Sequence, residues 1–145
     1  MENKPNNFHR PILLVEDNPL DVDLTKRAFK KKNFINPINI ARDGEEALAY
    51  FEKWDAGEPL PLIILLDLKL PKINGLEVLR RLKIHSEYRM IPVVVLTSSS
   101  DDKDIETAYK NGANSYIVKP VDFDKFLQVA TEIEIYWLAT TTLPR

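Results

Sequence analysis

The chain has 145 residues, 44% of them hydrophobic and 29% charged, which suits one globular domain with a sizeable core. Its 20 basic and 22 acidic residues leave a formal charge of -2, too balanced to point to nucleic acid, a membrane surface or an acidic polymer as partner. The lack of cysteine excludes disulfides, thiolate metal sites and cysteine nucleophiles, and no apolar stretch approaches the roughly 20 residues of a membrane span, so a cytoplasmic protein is expected.

Residues 1–9 read as a flexible N-terminal arm, and ILLV at 12–15 as a first strand. A helix is expected from Pro19, where proline suits the first turn, to KKKN, whose basic residues complement the helix dipole and read as a solvated helix end. INI at 38–40 and LIILL at 62–66 are the next strands, with a helix at 44–54 between them. IPVVVL at 91–96 and SYIV at 115–118 complete five strands, and helices are expected at 75–83, 102–110 and 122–138. The breakers EPLP, LPKING, NGAN and KPV separate these elements, and residues 139–145 read as a tail after a domain spanning 10–138. Strict alternation of strand and helix implies an α/β fold, a parallel sheet covered by helices on both faces. Continuous apolar runs such as LIILL agree with strands buried on both sides.

In open parallel sheets, ligands bind beyond the carboxyl ends of the strands. Here the first strand runs into Glu16 and Asp17, the third into Asp67, the fourth into Thr97 and the fifth into Lys119. Three carboxylates on one rim repel one another unless a cation joins them. With oxygen ligands, no cysteine, and only His9 and His85 as histidines, Mg²⁺ is favoured over zinc or copper.

LLVEDNPLD, LLDLKLPKING, VVVLTSS and YIVKP, in this order and spacing, resemble the receiver domain of bacterial two-component response regulators over about residues 10 to 138. The resemblance implies a (βα)5 flavodoxin-like three-layer sandwich with strand order 2-1-3-4-5. It makes Asp67 the phosphoacceptor, with Asp17 a direct Mg²⁺ ligand, Glu16 a ligand through water and the Lys69 carbonyl a further ligand. Thr97 would hydrogen-bond the phosphoryl group, Lys119 would pair with it, Tyr116 would follow Thr97 as a switch, and the Lys119–Pro120 bond would be cis. Glu16 stands where the family more often has aspartate, and Lys69 and Ser99 occupy positions that influence phosphate lifetime. Such a protein is a phosphoacceptor that promotes its own phosphorylation and dephosphorylation, not an enzyme with a separate substrate.

A haloacid dehalogenase-type phosphatase also uses an aspartyl nucleophile, but needs a second aspartate two residues on, where this chain has Lys69. An intermediate phosphate shuttle in a multistep phosphorelay is the other alternative. With no effector after residue 138, the signal is expected to leave through the fourth helix, fifth strand and fifth helix. On the fifth helix Phe123, Phe126, Leu127, Ala130, Ile133 and Trp137 form one apolar face, while Val129, Ile135 and Tyr136 fall outside it and suggest a homodimer interface. The ending YWLATTTLP resembles that of small regulators paired with cyanobacterial phytochrome-type histidine kinases, which implies such a kinase as phosphodonor.

Overall fold

The computed structural model describes residues 10–135. The arm, the tail and the expected contributions of Tyr136 and Trp137 therefore lie outside the described residues. Strands β1 (Ile12–Val15), β2 (Ile38–Ala41), β3 (Ile63–Leu66), β4 (Val93–Thr97) and β5 (Ser115–Val118) alternate with helices α1 (Pro19–Lys31), α2 (Gly44–Asp55), α3 (Gly75–Ile84), α4 (Asp102–Lys110) and α5 (Phe123–Ile133). All strand pairs are parallel and the order is 2-1-3-4-5, the flavodoxin-like arrangement expected.

Asparagine or aspartate starts each of these five α-helices. Asn18, Asp43, Asn74, Asp101 and Asp122 each accept a bond from a backbone N–H of the first turn that has no partner within the helix. The sequence places α4 to the residue, the ends of α2 and α3 to within one, and the end of α1 within the KKKN stretch. The fifth helix is regular over Phe123–Ile133 and takes π geometry at Glu134 and Ile135, and its expected end at residue 138 lies outside the described residues.

Alternate strand residues divide the core into two layers. Leu13, Val15, Ile64, Leu66, Val93 and Val95 face α2, α3 and α4, where Ala47, Val78, Leu79, Leu82 and Ala108 meet them. Ile12, Leu14, Ile63, Leu65 and Val94 face α1 and α5, against Val22, Phe29, Phe126, Ala130 and Ile133. β3 is buried on both faces, which explains why LIILL carries no polar residue.

The sheet edge at the strand N-termini is tied by side chains. The Lys83 ammonium donates to the carbonyls of Arg89 (3.1 Å) and Ile91 (2.8 Å) and to Asn114 Oδ1 (3.1 Å), which also accepts from the Val93 N–H (2.8 Å). Burial among these neutral oxygens pushes the Lys83 pKa down to about 8. The Tyr88 hydroxyl bonds the Asp55 carboxylate, and the Arg10 guanidinium holds the carbonyls of Leu60 and Pro61 at 3.0 Å each.

At the opposite edge, two glycines let loops approach closely. A Cβ on Gly75 would lie 2.2 Å from the Asp67 carbonyl oxygen and 2.6 Å from Leu68 Cα, both backbone atoms that cannot swing aside. Gly44 is as close to Ile73, and its N–H points to the Pro71 carbonyl at 3.4 Å. Gly75→Ala is therefore expected to destabilise the fold by about 3 kcal/mol, measured by urea unfolding, because overpacking here displaces the backbone of the loop after β3.

Candidate functional site

Backbone bonds carry the sheet pattern past the strands and so fix the residues at their ends. The Asp67 N–H donates to the Val15 carbonyl (3.0 Å), that of Glu16 to Ala41 (2.9 Å) and that of Lys119 to Thr97 (2.7 Å). The side chains then converge. Glu16, Asp17 and Asp67 each place a carboxylate oxygen within 4.8 Å of the others, with Glu16 and Asp67 buried and Asp17 exposed. Three acidic oxygens from the ends of adjacent strands, one open to solvent, fit a hard divalent cation better than a soft one.

Asp67 is held at both oxygens. Oδ1 accepts from the buried Thr97 hydroxyl (2.7 Å) and from the Lys69 N–H (3.1 Å), and Oδ2 accepts from Lys119 Nζ (2.9 Å). Burial by itself would raise the Asp67 pKa, but the bonds from Lys119 and Thr97 outweigh it and hold the carboxyl below its usual range. Lys119 also meets Glu16 Oε1 at 2.5 Å and Asp21 Oδ2 at 2.8 Å. Burial would lower the lysine pKa, and these carboxylates more than reverse it. Glu16 behaves differently: burial pushes it up to about 7, the Lys119 contact recovers only part of that, and the neighbouring Asp67 charge adds to the rise. The site therefore has one carboxylate kept ionised as a nucleophile needs and another close to neutrality.

Residues 12–131 match the response regulator receiver domain. The chain belongs to this family. This receiver is 45% identical over 134 residues to the Probable methanogenesis regulatory protein FilR2 of Methanothrix harundinacea, covering 92% of this chain and 86% of FilR2. It is 38% identical over 135 residues to the response regulator Rcp1 of Synechocystis sp., covering 92% of each, and the Mn²⁺-bound form of Rcp1 superposes with a TM-score of 0.84. The phosphorylated cyanobacterial phytochrome response regulator RcpA superposes with a TM-score of 0.87 at 40% identity, covering 94% of this chain and 99% of RcpA.

Within this receiver, Glu16, Asp17, Asp67, Thr97 and Lys119 come together at the carboxyl edge of the sheet. The Lys69 side chain is exposed, while its backbone sits against Asp67. Tyr116 is half-buried and its hydroxyl donates to the Ser99 carbonyl at 2.8 Å, across the β4–α4 loop. No cis peptide bond occurs among the described residues, so Lys119–Pro120 is trans, against the expectation from the family; trans is the lower-energy form of an X–Pro bond. Val129 is half-buried and rests on the α1–α5 side of the core, Ile135 is exposed, and Tyr136 lies outside the described residues.

Three pairings were not read from the sequence. Asp21 closes the LLVEDNPLD stretch in the first turn of α1, and nothing local marks Lys119 as its partner. Ser99 Oγ donates to Asp104 at 2.6 Å, tying the end of β4 to α4. Lys72, at a positive φ of 68°, pairs with the Asp43 carboxylate at 3.4 Å and fastens the loop after β3 to the start of α2.

The rise in the Glu16 pKa has a definite consequence for stability. Between its ordinary 4.5 and about 7, the folded chain holds a proton that the unfolded chain has lost. The resulting stability is complete below 4.5 and disappears as pH rises through the folded value. The lowered pKa of Asp67 and the raised pKa of Lys119 act outside this window, below the ordinary 3.8 and above the ordinary 10.5. With chelator present, wild type is therefore expected to unfold at higher urea at pH 5 than at pH 8, and Glu16→Gln to flatten that difference. An unchanged slope in the variant would remove Glu16 as its source.

Proposed function

We propose that this chain is a single-domain response regulator that accepts a phosphoryl group from a histidine kinase on Asp67. The observation that carries the reading is the Asp67 carboxylate, ionised and held at Oδ1 by Thr97 and at Oδ2 by Lys119 beside the acid pair Glu16 and Asp17. Mg²⁺ is the expected ion; Glu16, Asp17, Asp67 and the Lys69 carbonyl would hold it, and it supplies charge compensation for the nucleophile and the phosphoryl oxygens.

The remaining work falls to the side chains. An Asp67 oxygen bonds to phosphorus as the phosphorus–nitrogen bond of the donor histidine breaks, and the electron pair of that bond stays with the imidazole. Thr97 turns its hydroxyl from Asp67 to a phosphoryl oxygen, and Lys119 provides a compact positive charge for another. No acid–base residue stands two positions after Asp67, where a phosphatase of the haloacid dehalogenase type would need one. The Lys69 side chain there is cationic and exposed, so the phosphorylated form is suited to signalling.

Movement of Thr97 reaches the output face through short links. Ser99, two residues on, bonds both Asp104 of α4 and Tyr116 of β5, and α4 buries only Ala108. Little apolar burial holds α4 in place, so a change at Ser99 shifts it at low cost. The same face exposes Tyr109 and Ile135 at a groove of about 410 Å³ lined also by Tyr116 and Ile133, and Val118 and Val121, at the end of β5 and just beyond it, are exposed as well. These apolar groups extend the proposed homodimer surface beyond Val129, Ile135 and Tyr136.

The likeness to RcpA and Rcp1 supports a phytochrome-type kinase as phosphodonor in the cytoplasm. The greater identity to FilR2 favours a kinase with another input as the second reading.

Incubation with Mg²⁺ and acetyl phosphate is expected to add one phosphoryl group at Asp67, located by mass spectrometry and absent from Asp67→Asn; labelling elsewhere, or none, ends the receiver reading. On a sizing column the phosphorylated protein is expected to elute as a dimer, and Ile135→Glu to return it to monomer. Equal elution of the two forms would remove phosphorylation from control of assembly. A purified phytochrome kinase that labels RcpA but not this chain would turn the assignment towards the second reading.

A further inference from the structure

Lys119 has three ammonium protons and three carboxylates around it. Two of the acids, Glu16 and Asp67, belong to the group whose oxygens can meet on one ion. Asp21 does not. It comes from the first turn of α1, 98 residues away in sequence, and its side chain is 24% exposed, whereas those of Glu16 and Asp67 are 3% and 7%.

We propose that Asp21 is a positioning residue of the phosphoryl-transfer site, holding the Lys119 ammonium between α1 and Asp67 so that it can exchange the carboxylate for the phosphoryl group. This rests on the reading of Asp67 as phosphoacceptor. The lysine stem has four flexible carbons, and its tip stays in one place only where several acceptors define it. Glu16 and Asp67 lie at the ends of the adjacent strands β1 and β3, and both draw the ammonium towards the sheet edge. Asp21 draws it towards α1.

When an Asp67 oxygen bonds to phosphorus, the carboxylate that Lys119 paired with loses its negative charge, the leaving group takes the electron pair of the broken bond, and the phosphoryl oxygens bring their own charge to the site. Lys119 must then release Oδ2 and take a phosphoryl oxygen. Glu16 is itself among the acids whose oxygens would hold the ion, whereas Asp21 lies outside that group and stays beside the ammonium during that exchange. Without Asp21, the ammonium closes on the nucleophile and competes with the incoming phosphorus for its charge. Asp21 lies next to Leu20, which is 73% exposed on the same helical turn, so a partner seated on that turn also covers the anchor of the catalytic lysine.

Asp21→Asn keeps an oxygen acceptor on an accessible side chain and removes the charge, and Asp21→Glu restores it. The variants are compared with wild type for the rate of Asp67 phosphorylation by acetyl phosphate at saturating Mg²⁺, for Mg²⁺ affinity by titration, and for the ¹⁵N signal of the Lys119 ammonium in the unphosphorylated protein. Asp21→Asn is expected to move the Lys119 signal and slow phosphorylation about tenfold, the scale of one charged hydrogen bond, with Mg²⁺ affinity kept within about twofold and Asp21→Glu recovering most of the rate. The proposal is overturned if the Asn variant reacts within about twofold of wild type, if the Lys119 signal stays in place, or if extra Mg²⁺ restores the rate, which would make Asp21 part of the metal site. Should wild type itself take no phosphate on Asp67, the receiver reading falls and the kinetic role falls with it; labelled wild type with an unaffected Asn variant removes the role of Asp21 alone.

Discussion

One ammonium group makes the site possible. Glu16 and Asp67 are buried carboxylates, and taking such charges out of water costs several kcal/mol each unless a partner compensates. Lys119 is that partner for both, with Asp21 as a third. The compensation is uneven, because one positive charge cannot neutralise three negative ones. Asp67, which also has the Thr97 hydroxyl and the Lys69 N–H, stays ionised, while Glu16 is pushed towards neutrality. The acidic rim is thus left short of positive charge, and a divalent cation fits that imbalance.

The fold makes this crowding tolerable by holding the groups still. Glu16, Asp67 and Lys119 are each fixed by a ladder bond just past a strand end, and β3 is locked by apolar contacts on both faces. Gly75 allows the loop after β3 to fold back onto the carbonyl of Asp67, and Lys72 and Asp43 fasten that loop to α2. Electrostatic stabilisation works only where the charged groups need not reorganise during the reaction, and these contacts supply that rigidity.

Much of this was legible in the sequence because the relevant signals are local. Apolar runs mark the strands, asparagine and aspartate mark the helix starts, and the residue after each run marks the rim. Glu16, Asp17, Asp67, Thr97 and Lys119 could be found in this way without any knowledge of distances. Asp21 could not be understood so, since its partner is 98 residues off and nothing in an α1 periodicity distinguishes an acid that meets solvent from one that meets Lys119. Ser99 with Asp104 and Asp43 with Lys72 are hidden for the same reason: they join side chains across loops. The π geometry at Glu134 and Ile135 escaped because helical periodicity carries no signal of a widened turn.

The two ends of the sheet are built on different terms. At the strand N-termini, Lys83 is satisfied by neutral oxygens and Arg10 and Asn114 clasp backbone groups, so no ion or phosphate is needed to complete the arrangement. That end acts as a foundation, and the opposite end as a keyboard. If Asp67 takes a phosphoryl group as proposed, the change of charge falls among loops, Lys119 and the lightly anchored α4, while the apolar contacts that hold the core lie elsewhere.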